Sequence, residues 1–120
     1  MDKSEPIQLL VLRDQRDISL PVVDPRLVDP AYAPELDEVD RAALGVTDDD
    51  SVGWLSILTV QNDPFKVTAN LLGPIAFNPR TGAARQVLLS QSGYAAAHPL
   101  GDGRLLMGSE VDHARSYATV

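Results

Sequence analysis

A glycine–proline pair, Gly73-Pro74, falls in the middle of an alternating apolar run, F-K-V-T-A-N-L-L-G-P-I-A-F-N from Phe65 to Asn78. Lys66, Thr68 and Asn70 alternate with Val67, Ala69 and Leu71, so one side of the run suits water and the other a core. Proline has no N–H to give a ladder, and glycine loosens the backbone beside it. The run therefore reads as one extended segment interrupted at Gly73-Pro74 and resumed at Ile75 and Phe77. A turn at Pro79-Arg80-Thr81-Gly82 follows. Beyond it, Val87 and Leu89 share one face, and Gln86, Leu88 and Ser90 the other.

The remaining segments read in the same way. Ile7–Leu12 and Ile18–Val23 are short apolar runs around the polar residues 13–17, which suggests a hairpin. Pro21 places the second run at an edge or a bulge. Asp24-Pro25, Asp29-Pro30 and Ala33-Pro34 punctuate an acidic loop expected to be extended and irregular. Asp37 is placed to cap a helix over Glu38–Leu44, with acidic residues in its first turn and Gly45 to stop it. Its narrow apolar stripe is Val39 with Ala42 or Ala43. Val52–Val60 is the longest apolar run and reads as a strand buried on both faces. Gln61 to Pro64 is a turn that returns the chain antiparallel into Lys66. The result is mostly β with one short helix. Only six of the 120 residues are Phe, Tyr or Trp, so aliphatic side chains must fill the core.

Chemistry is conspicuous by what the spacing excludes. The chain has no cysteine, which removes disulfides, thiol catalysis and thiolate metal sites. A net charge of −7 disfavours direct nucleic-acid binding and suits either a basic protein partner or, more commonly, solubility alone. The two histidines, His98 and His113, lie in no metal-binding spacing. Asp48, Asp49 and Asp50 place Gly53 at the sixth position of a calcium loop but Thr59 at the twelfth, where a glutamate is needed. Phosphate-binding glycine patterns and a serine-nucleophile elbow are missing. The charged stretch Met1 to Pro6 does not read as a secretion signal, and no apolar run is long enough to span a membrane. Asn70, Asn78 and Gln86 stand out because such amides are depleted in strands. They serve either to satisfy turn and bulge backbone groups or to contact a partner. Nothing supports an enzyme, and no cofactor or metal is implied.

Taken in order, V-V-D-P at Val22–Pro25, Tyr32, Pro34-Glu35-Leu36, the capped helix ending A-L-G-V at Val46, V-T-A-N-L-L-G-P-I-A-F-N at Val67–Asn78, Gln86-Val87-Leu88, and Tyr94 with His98-Pro99-Leu100 resemble the bacterial flagellar assembly factor FliW family. The match runs from about Pro6 to Leu100. Ala69 stands where the family often has Val, and Gly73 where it often has Ala. The resemblance implies a small antiparallel β-barrel-like domain over residues 1–100; the glycine-containing, mixed stretch 101–120 lies outside it and reads as a weakly structured tail. The resemblance also implies that the family's usual first strands are missing, which leaves a sheet edge that invites a second copy to pair.

By the same resemblance the protein would be cytoplasmic. It would bind flagellin and antagonise the translational regulator CsrA, which relieves repression of flagellin translation. The expected partner-binding residues are Asp29, Tyr32, Glu35 and Asp37 in the acidic loop, and Asn70, Asn78, Gln86, Tyr94 and His98 in the strands and turns. The competing reading is a divergent member kept as an interaction or oligomerisation module, without flagellin or CsrA as partner.

Overall fold

Alternation along the chain becomes buried and exposed faces of one sheet. A computed structural model of the protein describes residues 7–12, 15–47, 50–62, 64–100 and 114–119. Its elements are β1 (Ile7–Leu12), β2 (Gln15–Val23), α1 (Pro25–Val28), α2 (Glu38–Leu44), β3 (Gly53–Gln61), β4 (Lys66–Ala69), β5 (Ile75–Phe77), β6 (Ala83–Gln86), β7 (His98–Pro99) and β8 (Ala114–Thr119). The strands form a sheet in the order β2-β1-β8-β6-β5-β3-β4-β7. All pairings are antiparallel except those of β8, which runs parallel to both β1 and β6. The mostly β, largely antiparallel reading is observed. Two residue pairs, Val22↔Ile57 and Val23↔Ser56, also bring β2 to β3. The sheet curls back on itself there without a full closing ladder, so it is barrel-like only loosely.

β1 and β2 form the expected hairpin, with Ile7 opposite Val23. Pro21 pairs with Leu9 without irregularity, and the shift in register falls instead between Val11 and Leu12. The contact of β2 with β3 begins only at Val22, so Pro21 has no ladder to break on that side. β4 and β5 are the interrupted run. Both lie along β3, β4 against Leu58–Gln61 and β5 against Gly53–Leu55. Val67, Ala69 and Leu71 are buried to within 1%, while Lys66 is exposed and Thr68 and Asn70 are half-buried. The turn after β5 forms as expected: the Thr81 and Gly82 N–H groups donate to Asn78 O, and Gly82 has a φ of 82°.

Several elements differ from the sequence reading. A second helix exists. Asp24 is extended, as a residue before proline should be, but it caps α1 by accepting the Arg26 N–H, and Pro25 opens the helix at its first position. The same Asp-Pro pair that reads as irregular loop is also a helix start. In α2, the Asp37 carboxylate accepts the Asp40 N–H, and Gly45 at φ 70° ends the helix, both as expected. The buried face is not the expected one. Val39 is 70% exposed, and Leu44 alone is buried. A seven-residue helix presents under two turns, and the large side chain at its end reaches the core while the small ones do not.

β3 is buried on both faces only through its first half; Thr59, Val60 and Gln61 extend past the core and are exposed. Three apolar clusters result. Tyr32, Leu44, Val46, Trp54, Leu71, Ala76, Val87 and Leu89 form the one beneath the helices. Leu10, Val22, Leu55, Ile75 and Ala84 form the second. Ile7, Val23, Leu58, Val67 and Ala69 form the third.

The tail also departs from expectation. Ala114–Thr119 enters the middle of the sheet, paired with Leu9–Leu12 on one side and with Ala83–Ala84 on the other. Local propensity in A-R-S-Y-A-T is weak, so two-sided pairing sets this strand. β8 also covers one flank of β1. Residues 101–113, including His113, lie outside the described set, as do Asp48 and Asp49.

Gly53 faces Phe77 across β3 and β5, and a Cβ on Gly53 would overlap the Phe77 ring. The glycine is thus needed for close approach rather than for a special φ. Gly53→Ala is expected to lower unfolding stability by about 1–3 kcal/mol. The same change made in a Phe77→Leu background should cost less, and urea denaturation of wild type and the three variants measures that coupling.

Candidate functional site

Gly73-Pro74 leaves five residues, Asn70–Pro74, without a regular ladder, and their polar backbone groups must find partners elsewhere. Every one does. The Ser56 hydroxyl donates to Asn70 O at 2.9 Å, the Tyr32 hydroxyl to Leu71 O at 2.7 Å, and Gln86 Nε2 to Gly73 O at 2.9 Å. The Leu89 N–H donates to Leu72 O at 2.8 Å and the Val87 N–H to Pro74 O at 2.9 Å. In turn, the Asn70 N–H donates to Ile57 O, and the Leu71 and Leu72 N–H groups share Ala95 O. The Gly73 N–H donates to Asn70 Oδ1 at 2.8 Å. Three of the residues expected at a partner interface, Tyr32, Asn70 and Gln86, therefore hold the interruption together. Tyr32 is 2% exposed, and burial, with Tyr94 beside it, pushes its phenol above the usual range.

Asn78 has comparable work at the next turn. It is 1% exposed. Its Nδ2 donates to Leu44 O at 3.0 Å, and its Oδ1 accepts the Arg80 N–H at 3.0 Å. One amide thus ties the β5–β6 turn to the end of α2. The Tyr94 hydroxyl accepts the Ala33 N–H at 3.0 Å, and its ring lies tilted against Tyr32 with centroids 4.5 Å apart. Asp29 accepts the Ala31 N–H, and Asp37 caps α2. His98 is half-buried in β7 opposite Ala69 and lines neither of the two clefts described next. Backbone satisfaction accounts for the amides in or beside the strands.

What lies open is the ground between these fastened elements. A cleft of about 480 Å³ separates the acidic loop and the start of α2 from the segment after β6. Glu35, Asp37, Asp40 and Tyr94 line it together with Val87–Ser90. A second depression of about 330 Å³ lies beside it, lined by Asn70, Leu72, Gly73, Gln86, Leu88 and Ala96. Leu88 borders both, at 69% exposure. The structure thus brings Glu35, Asp37, Asn70, Gln86 and Tyr94 to one surface. Tyr32 sits in the core behind it and Asn78 is enclosed at the turn. Leu88 and Asp40 are the members that sequence reasoning missed. Leu88 was detectable as the one apolar residue on the Gln86/Leu88/Ser90 face.

The carboxylates here are not equivalent. Arg85 Nε lies 3.3 Å from Asp40 Oδ1. Even so, burial and the neighbouring Asp37 raise the Asp40 carboxyl above its ordinary value. Asp50, at the base of α2, accepts the Thr47 N–H at 2.8 Å and meets Arg80 Nη2 at 3.1 Å. The Thr47 bond and then Arg80 hold it below the ordinary range. Among the described residues, no group of three His, Cys, Asp or Glu side chains converges as a metal site would require. Among them also, no helix is long and apolar enough to cross a membrane.

Comparison with known proteins places the chain in a family. The sequence model of the FliW protein matches residues 1–100. The chain belongs to the FliW family. Flagellar assembly factor FliW of Pseudothermotoga lettingae is 39% identical over 101 residues, which are 83% of this chain and 65% of that protein. FliW of Geobacter sulfurreducens is 38% identical, over 72% of this chain and 54% of that protein. FliW of Thermotoga neapolitana is 32% identical over 96% and 73%. A crystal structure of the flagellar assembly factor FliW superposes with a TM-score of 0.71 at 30% identity, covering 83% of this chain and 71% of that one. The chain thus spans about half to three quarters of the length of these relatives. The two clefts lie wholly within the FliW-matched residues.

The two shifted carboxylates give opposite pH trends. The Asp50 carboxyl is lowered in the folded state, so its contribution is present above the ordinary carboxylate value and is lost as pH falls through the folded value. Asp50→Asn is expected to lower the melting temperature at pH 7, and the difference from wild type should shrink below about pH 4. Asp40 is raised, so its contribution is present below the ordinary value and is lost as pH rises through the folded one. Relative to wild type, Asp40→Asn should gain stability as pH rises from about 4 to 7. Thermal unfolding followed by circular dichroism across this range checks both signs.

Proposed function

We propose that this FliW-family chain is a cytoplasmic flagellar assembly factor that acts by binding and carries out no reaction. Its partners in this reading are flagellin and the translational regulator CsrA, and capture of CsrA relieves repression of flagellin translation. The observation that carries the reading is the unbroken family match over residues 1–100. Relatives at 32–39% identity bear the name flagellar assembly factor. The surface chemistry agrees with it. The protein carries a net charge of −7, and its larger cleft is lined by Glu35, Asp37 and Asp40 with no basic residue. Complementary charge of this kind speeds encounter with a basic RNA-binding protein and fixes its orientation.

Calorimetry with purified flagellin and with purified CsrA tests the proposal. Each is expected to bind a folded sample with a dissociation constant of about micromolar or tighter, and flagellin is expected to displace CsrA. Binding of neither at roughly tens of micromolar would overturn it and leave a fold kept for some other interaction.

A further inference from the structure

The chain keeps strand-like hydrogen bonding past the end of β6. Ladder bonds from residues 83, 87 and 89 all face the β4–β5 side: Asn78 N–H donates to Ala83 O, Val87 N–H to Pro74 O, and Leu89 N–H to Leu72 O. By the two-residue alternation of a strand, the N–H and C=O of Leu88 face away from β4 and β5, and Leu88 lines the cleft together with Glu35 and Asp37. That opposite side of β6 already accepts a strand, since β8 pairs with it at Ala83 and Ala84. Beyond this ladder, no described residue pairs with the outward backbone of Leu88.

We infer that the edge at 86–90 is a docking site for an extended, basic segment of a partner protein, which adds to the sheet as a further strand. Three observations converge on this occupant. The open backbone groups of Leu88 demand an extended chain rather than a helix. The cleft of about 480 Å³ along the edge gives that chain room, and Glu35 and Asp37 line it, so side chains on one face of the added strand should be cationic. Leu88, 69% exposed, borders the depression holding Leu72 and Ala96, so the alternate side chains should be apolar. A strand alternating Lys or Arg with Val or Leu meets all three conditions. A second copy of this acidic chain meets the charge condition poorly. The inference goes beyond the flagellin and CsrA reading, and its test uses neither protein.

The test is titration of the full chain with a short peptide of alternating lysine and valine, read by fluorescence anisotropy and by amide exchange of Leu88 in nuclear magnetic resonance. The peptide is expected to bind and to slow exchange of the Leu88 amide. An analogue N-methylated on alternate amides, so that one edge cannot hydrogen-bond, should bind roughly tenfold more weakly. Leu88→Pro, which removes only an N–H without a ladder partner, should weaken binding by roughly the same factor while leaving the circular dichroism unchanged. Glu35→Lys should weaken it in a salt-dependent way. Equal binding of the parent and N-methylated peptides would reduce the contact to charge alone and overturn strand addition. Equal binding of an alternating glutamate–valine peptide would overturn the basic partner, and no binding at all would overturn the site. The N-methylated peptide decides the question on the unaltered protein even where Leu88→Pro does not fold.

Discussion

The structure depends on satisfying five residues of broken strand. Gly73-Pro74 cannot continue the ladder along β3, yet Leu71 and Pro74 are buried, so water is not available to the backbone there. An unmet buried carbonyl costs about 1–3 kcal/mol. The carbonyls of Asn70–Pro74 take donors from Ser56, Tyr32, Leu89, Gln86 and Val87, which come from β3, the acidic loop, β6 and the segment after it. The interruption is therefore where the separate pieces of the fold are fastened together. It lets one strand serve the first half of β3 as β5 and the second half as β4, with a bend between. It also anchors the acidic loop through Tyr32 while leaving a cleft beside that anchor.

The same constraint explains why polar residues in strands do not translate directly into a binding site. Asn70, Gln86 and Tyr32 each spend a hydrogen-bonding group inside the molecule, and Asn78 spends both ends of its amide. The surface left for a partner is made instead of groups with no such duty: the Glu35 carboxylate, the apolar Leu88 side chain, and the outward backbone beside it. Rigid fastening and open edge are two outcomes of one arrangement. The alternate residues 87 and 89 hold the strand in place, and residue 88 is turned outward.

Much of this was legible in the sequence. The alternation of Val67, Ala69 and Leu71, the break at Gly73-Pro74, the Asn78–Gly82 turn, and the Asp37 and Gly45 caps are local signals, and local sterics decide them. The failures have one cause, which is that tertiary pairing outvoted local pattern. Asp24-Pro25 fits both a loop and a helix start, and only the packing chose. Val39 reads as the apolar face of α2, but Leu44 reaches the core. Ala114–Thr119 has weak strand propensity and becomes β8 because β1 and β6 both pair with it. The polar strand residues were correctly noticed as unusual. Which of their two uses applied could not be read from types and spacing, because their partners Leu71, Leu44 and Gly73 are set by the fold.

The two proposals meet in one expectation: the proposed partners flagellin and CsrA would dock at the edge after β6 and the acidic cleft beside it. Backbone amide hydrogen exchange of the full chain, compared free and saturated with purified flagellin or CsrA, tests that most directly. The account predicts slowed exchange concentrated in residues 33–40 and 86–94. Slowed exchange confined to the exposed tip of the β3–β4 hairpin around Val60 and Phe65, with residues 86–94 unchanged, would contradict it.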